Sequence, residues 1–125
     1  MTDREKIIQN YLDGYNEFDL TKMLQNFDGA IVFENISNGE MNLSLKGLNA
    51  FKEQAEVAKS YFSIRRQTAK SYAHDNDEIE VVIDYYAVAA MDFPNGLKKG
   101  DELRLEGRSI FKFSGDKIVK LTDIS

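Results

Sequence analysis

The chain has 125 residues, 42% of them hydrophobic and 30% charged, with a formal net charge of −5; residues 1–125 therefore read as a single domain, long enough to bury a core unaided. It has no Cys and a single His, which excludes disulfides, thiolate nucleophiles and a metal centre built from several His of one chain, so neither metal nor cofactor is expected. The acidic balance argues against nucleic acid as a partner, and with no apolar run of about 18 residues and no leader-like segment before the first helix, the sequence suggests a soluble, cytoplasmic protein that does not engage a membrane.

The first half is helical in period. Thr2-Asp3-Arg4-Glu5 has the form of a capping box, in which Thr2 and Glu5 satisfy free amides at a helix start. Ile7, Tyr11 and Tyr15 then recur at every fourth position with Ile8, Leu12 and Phe18 beside them, one apolar stripe. Gly14 lies within it, at a cost of roughly 1 kcal/mol relative to Ala; close packing against another backbone and plain exposure both account for it. Asp19 caps a short second helix with Leu20, Met23, Leu24 and Phe27 on its inner face. Asp28-Gly29 breaks that helix. Residues 30–35 read as a strand, 36–41 as a polar loop and 42–45 as a brief strand. After Gly47 a third helix lines up Leu48, Phe51, Ala55, Ala58 and Phe62.

Beyond Ser63 the period changes to two, the signature of strands. Strands are expected over 64–74, 79–91, 103–113 and 118–124, separated by His74-Asp75-Asn76-Asp77, by a hairpin turn at Pro94-Asn95-Gly96 and by Ser114-Gly115-Asp116-Lys117. Helices followed by an antiparallel meander mean an α+β fold. On the fourth of the expected strands counted along the sheet, Ile79, Val81, Ile83, Tyr85, Ala87, Ala89 and Met91 share the inner face; on the next, Leu103, Leu105, Gly107, Ser109, Phe111 and Phe113 do so. The outer face keeps Val82, Tyr86, Val88 and Ala90, too apolar for a fully solvated surface. A homodimer built on that outer face is expected, with Asp84 pairing Arg104 or Arg108 across neighbouring strands.

The order of elements resembles the NTF2-like superfamily, in its SnoaL-like branch of polyketide cyclase and ketosteroid isomerase relatives. Local matches are Phe27-Asp28-Gly29-Ala30-Ile31-Val32-Phe33-Glu34-Asn35 at the entry to the first strand, Gly47-Leu48-Asn49-Ala50-Phe51 at the third helix, and Gly115-Asp116-Lys117-Ile118-Val119-Lys120-Leu121-Thr122-Asp123 at the terminal hairpin. The resemblance covers essentially the whole chain. It implies a cone-shaped fold, three N-terminal helices packed on a curved, mainly antiparallel sheet around a pocket.

In the ketosteroid isomerases of this superfamily a helical Tyr and a neutral Asp donate to the developing enolate, and a second Asp moves the proton. The resemblance places Tyr11 at the Tyr position, Asn35 at the base position and Ser109 at the second donor position. A neutral amide cannot abstract a proton. Glu34 takes the base position only if the strand slips by one residue, and alternation opposes that: if Phe33 and Asn35 face the pocket, Glu34 faces away. Asp123 shares parity with Val119 and Leu121 and so reaches toward the pocket mouth, although a frayed terminus is the simpler reading.

Tyr11, Tyr15, Phe33, Asn35, Phe51, Ser109, Phe111 and Leu121 are the expected ligand-binding residues, with Asn35 and Ser109 as partners for the tyrosine hydroxyl. Several of them fit a solid core equally well. Arg65 and Arg66 point to opposite faces of one strand, so only one approaches the pocket, and an inward Arg favours an anionic ligand. His74, in an acidic turn, reads as solvated. The missing carboxylate at Asn35 favours a module that binds a small hydrophobic molecule without turning it over. The alternative is a cyclase, isomerase or dehydratase with Tyr11 as donor and Glu34 or Asp123 as base. A third reading is a structural dimer whose cone is filled by its own side chains.

Overall fold

Thr2 starts the first helix as its capping box requires. Its Oγ1 accepts from the Glu5 amide at 3.1 Å, and the Thr2 amide donates to Glu5 Oε1 at 3.0 Å. The computed structural model describes residues 1–125. In chain order the elements are α1 (Asp3–Asn16), α2 (Leu20–Leu24), β1 (Phe27–Ser37), β2 (Glu40–Lys46), α3 (Leu48–Ala58), β3 (Phe62–Asp75), β4 (Glu78–Ala89), β5 (Glu102–Ser114) and β6 (Lys117–Ile124). The strands form one six-stranded sheet in the order β2-β1-β6-β5-β4-β3. Every neighbouring pair is antiparallel except β1 with β6. This is the α+β, mainly antiparallel arrangement expected, with the helices on the face that carries the core.

α1 buries Ile8, Tyr11 and Leu12 against inner-face residues such as Ile79, Val81 and Phe111, all nearly or fully inaccessible. Burial of side chains this size stabilises the fold by about 1.5–3 kcal/mol each. At its C-terminus the chain turns through Phe18 in the left-handed region (φ 57). Phe18 N–H bonds Tyr15 O at 3.2 Å and Asp19 N–H bonds Gly14 O at 2.9 Å, the hydrogen-bond pattern of a Schellman motif. Asp19 then caps α2 through Lys22 N–H at 3.1 Å. Gly14 is resolved as a close approach: a Cβ there would lie 2.5 Å from Met23 N and 3.0 Å from Met23 Cα.

Element boundaries differ from the sequence reading in several places; Phe27, expected on the inner face of the second helix, opens β1. The polar stretch 36–41 is a hairpin with a two-residue turn at Asn38-Gly39 (φ 54 and 79), and the pairing of β1 with β2 runs through it. Asn-Gly is the strongest signal for such a primed turn. Phe62 opens β3 rather than closing α3. Pro94-Asn95-Gly96 is a tight turn, closed by Gly96 N–H to Phe93 O at 3.2 Å, but it does not join the two strands directly. It belongs to a longer connection from Ala89 to Glu102, closed by Phe93 N–H to Leu97 O at 2.7 Å.

The faces of β4 follow the expected alternation, with Ile79, Val81, Ile83, Ala87 and Ala89 buried. On β5, Leu105 keeps the expected parity opposite Tyr85 and is 40% exposed beside the cavity, while Met91 lies past the end of β4 at 41%. On the outer face Asp84 does not pair with Arg104 or Arg108. Its Oδ1 lies 3.9 Å from Lys70 Nζ, Arg108 binds Glu80 at 2.7 Å, and Arg104 binds Glu102 at 3.2 Å while stacking on Tyr86. His74, expected in solvent, meets Glu5 Oε2 through Nε2. That hydrogen bond holds the Glu5 carboxyl below its usual range. No helix is long and apolar enough to cross a membrane.

Candidate functional site

β1, β5 and β6 bring three polar residues to one spot. In the parallel pairing Asn35 lies opposite Asp123, and in the antiparallel pairing Ser109 lies opposite Asp123. Residues opposite one another across strands project to the same face, here the face beneath the helices. Ser109 Oγ donates to Asp123 Oδ1 at 2.7 Å. Asn35 Nδ2 donates to Asn42 Oδ1 at 2.8 Å.

The space above them is a cavity in two adjoining compartments. One, of about 200 Å³, lies under α1 and α3 and is mostly apolar, with Tyr11, Phe33, Leu45, Phe51 and Arg65 in its wall. The other, of about 220 Å³, is more polar and includes Gln67, Tyr85, Gly107 and Ser109. Tyr15, Asn35 and Asp123 line both, so they stand at the junction.

Asp123 is the only carboxylate lining either compartment. Burial pushes its carboxyl up to about 6, and the Ser109 hydrogen bond pulls the other way. The tyrosine hydroxyls are also pushed up. For Tyr11 the causes are burial and then the Asp123 charge; for Tyr15 burial, opposed by the Tyr85 hydrogen bond; for Tyr85 burial and then Tyr15. Tyr15 and Tyr85 hydroxyls lie 2.7 Å apart. Near neutral pH the tyrosines therefore keep their protons, while Asp123 titrates closer to neutrality than an ordinary carboxylate.

Two cationic side chains also line the walls: Arg108 in the polar compartment, paired with Glu80, and Arg65 in the apolar one. Arg65 is 3% exposed. Its Nε donates to Tyr15 O at 2.7 Å, and its guanidinium lies over the rings of Tyr15 at 3.9 Å and Phe18 at 4.4 Å. Asn16 fixes β3 nearby, accepting from Gln67 N–H at 2.7 Å and donating to Gln67 O at 3.0 Å. Nowhere in the structure do three or more His, Cys, Asp or Glu gather as a metal cluster would.

Of the residues singled out from sequence, Tyr11, Tyr15, Phe33, Asn35 and Phe51 line the apolar compartment and Ser109 the polar one. Phe111 and Leu121 do not: both are fully buried behind the wall, in the core. Glu34 is not a base facing the cavity. Alternation turns it to the opposite face, where it meets Lys120 Nζ at 3.2 Å. Tyr11 is held by ring contacts, stacked on Phe27 at 5.3 Å and edge-on to Phe111 at 5.7 Å, while Asn35 and Ser109 bond other partners. Asp123 is held in the sheet beside Asn35 and Ser109 and is not frayed. Gln67 and Tyr85 escaped the sequence reading as site residues, and Arg65 was left open against Arg66. The signal for β3 was parity, since Arg65 and Gln67 share the inner face of a strand with Ala69.

Residues 8–121 match the SnoaL-like domain family. No curated protein sequence matches the chain. Among solved structures, it superposes on IdmH from Streptomyces antibioticus, a candidate polyketide cyclase, with TM-score 0.80 and 10% identity over 97% of this chain and 90% of that one. A candidate polyketide cyclase from Xanthomonas campestris pv. campestris gives TM-score 0.77 and 16% identity over 98% and 90%. A protein from Catenulispora acidiphila with a ketosteroid isomerase-like fold, solved in complex with trimethylamine, gives 0.75 and 8% over 94% and 82%. At these identities the likeness is one of fold.

Proposed function

Because this chain belongs to the SnoaL-like domain family, we propose that it binds a small, mostly apolar carbonyl compound in the two-compartment cavity and moves a proton on it with Asp123 as the base. The observation that carries this reading is a single carboxyl at the junction of the compartments, raised by burial to about 6. A base of that kind is half ionised close to working pH, where general base catalysis is most effective. Asp123 as carboxylate takes the proton from a carbon beside the carbonyl. The electron pair of that C–H bond forms the C=C bond of an enolate, and the carbonyl π pair moves onto the oxygen, which accepts a hydrogen bond from the Tyr11 hydroxyl. Return of the proton at another carbon completes an isomerisation; attack of the enolate carbon on a second carbonyl of the same molecule, with the Asp123 proton passing to the alkoxide that forms, completes a cyclisation. Tyr15, paired with Tyr85, orients the oxygen-bearing end. The candidate cyclases among the structural neighbours agree with a polyketide-type substrate.

A second reading is retention of the ligand without chemistry. Asn35 supports it, an amide standing where the resemblance expects a base. The two are separated by incubating the protein with 2-tetralone in D2O and following loss of the α-proton signals by NMR. Wild type should accelerate exchange, and Asp123→Asn should be about a hundred-fold slower or more. If 2-tetralone raises the melting temperature and exchange runs at the buffer rate, the protein binds without turnover. The homodimer through the outer face of the sheet belongs to this proposal as well, since Val82, Tyr86 and Val88 are only partly covered within one chain.

A further inference from the structure

The apolar compartment holds a positive charge that nothing in the protein neutralises. Arg65 is buried, and its Nη2 is fully enclosed with no hydrogen-bond partner. No carboxylate lies within ion-pair distance of it, although nine ion pairs form elsewhere in the chain. A buried, unpaired guanidinium is costly, several kcal/mol even after relaxation. Asp123 lines the same compartment but is bonded to Ser109 instead.

The guanidinium is also held in place. Nε is committed to Tyr15 O, which fixes one edge of the fork. The rings of Tyr15 and Phe18 fix the plane. Phe18 reaches that position from a left-handed backbone, which costs a side chain with a Cβ about 1–2 kcal/mol. One edge of Arg65 is thus satisfied by protein, Nη2 is enclosed without a partner, and the side chain forms part of the compartment wall with its charge unpaired.

We infer that the site selects an anion: a flat, mostly apolar molecule bearing one carboxylate or ionised enol oxygen, which pairs with the Arg65 guanidinium where it lines the apolar compartment. A neutral carbonyl accepts a hydrogen bond and leaves the charge. An anionic oxygen accepts and neutralises, and such charge-assisted bonds are about twice as strong as neutral ones. The aromatic wall of Phe33, Phe51 and Tyr11 takes the rest of the molecule. This rests on the reading of the cavity as a ligand site, and it narrows the substrate from a carbonyl compound to one that also carries acid.

The test compares 2-naphthoate with 2-naphthamide, which share size and shape and differ in charge. Calorimetric titration of wild type should give at least tenfold tighter binding of the carboxylate. Arg65→Met should lose that preference while still binding the amide, and Arg65→Lys should keep part of it. The Arg65 Nε–H resonance of wild type should shift with naphthoate and stay in place with naphthamide, which decides the matter even if Arg65→Met fails to fold. Equal or tighter binding of the amide by wild type, or an unchanged preference in Arg65→Met, overturns the inference and leaves the cavity intact as a neutral-ligand site. Failure of wild type to bind either probe overturns the inference together with the ligand-site reading.

Discussion

Asp123 has opposite consequences for stability and for chemistry. Its carboxyl rises from 3.8 to about 6 on folding, so the folded chain holds a proton that the unfolded chain has released. Stability from this group is therefore full below about pH 4 and is lost as pH rises to about 6, a loss of about 1–3 kcal/mol in all. Asp123→Asn removes the titration while an amide oxygen still accepts from Ser109. The variant should thus be more stable than wild type at pH 7–8, by several degrees in melting temperature, and the gap should close toward pH 4. A gap that is the same at pH 4 and pH 8 would refute burial as the cause. This is the pattern of a group kept for function at the expense of stability. The sequence showed only half of it. Parity put Asp123 on the pocket side, but only the register of β6 between β1 and β5 brings it beside Asn35 and Ser109. That register depends on strands far apart in the chain. Arg65 was hidden for the same reason, because β3 alone gives no indication that Tyr15 and Phe18 close over it.

At the scale of elements, the junction of α1 and α2 is the tightest joint in the helical layer. Gly14 has better helix-forming substitutes, and Ala would gain roughly 1 kcal/mol on propensity alone. The Met23 amide, 2.5 Å from where the Cβ would sit, reverses that sign. Gly14→Ala should lose about 1–3 kcal/mol net, read as a lower urea midpoint with an unchanged slope; a rise in the midpoint would mean that α2 can retreat. The Asn38-Gly39 turn gives a second prediction. Gly39 sits at φ 79 with open space around it, so Gly39→Ala meets backbone strain and no clash. It should cost about 1 kcal/mol, whereas Gly39→Asn should cost less because Asn tolerates the left-handed region. Period gave the existence of the helices and of the long strands, since apolar stripes depend on local spacing. Boundaries were less visible. Residues 36–41 look like a loop by polarity because both faces of that hairpin are partly solvated, and Phe62 continues the spacing of α3 although the chain has already turned into β3.

At the scale of the molecule, the sheet has one face under helices and one without. The order of elements told which was which, because helices joined by short connections to an antiparallel meander have one face to cover. From its apolar content the sequence suggests a second copy of the chain against the other face. On it Ile64 and Val88 are direct neighbours across β3 and β4, and Ile64 is 47% exposed. Arg104 covers Tyr86. Farther along, Lys70 meets Glu106 at 3.1 Å and Arg108 meets Glu80 at 2.7 Å. Apolar Ile64, Val88 and Tyr86 are thus interleaved at one end with Arg66, Glu102 and Arg104, and the other end carries charged pairs. Two copies related by a twofold axis can bury these apolar side chains against each other while the charged pairs of the other end stay at the rim, where desolvation is avoided. Sedimentation of wild type at micromolar concentration should then show a species of twice 14.3 kDa. The melting temperature should rise with protein concentration, since association stabilises by mass action. Ile64→Lys with Val88→Lys should give the 14.3 kDa species with its ligand preference unchanged, because neither residue lines the cavity. Wild type that sediments only as the monomer, with a melting temperature independent of concentration, would dispose of the interface and leave the outer face as solvated surface.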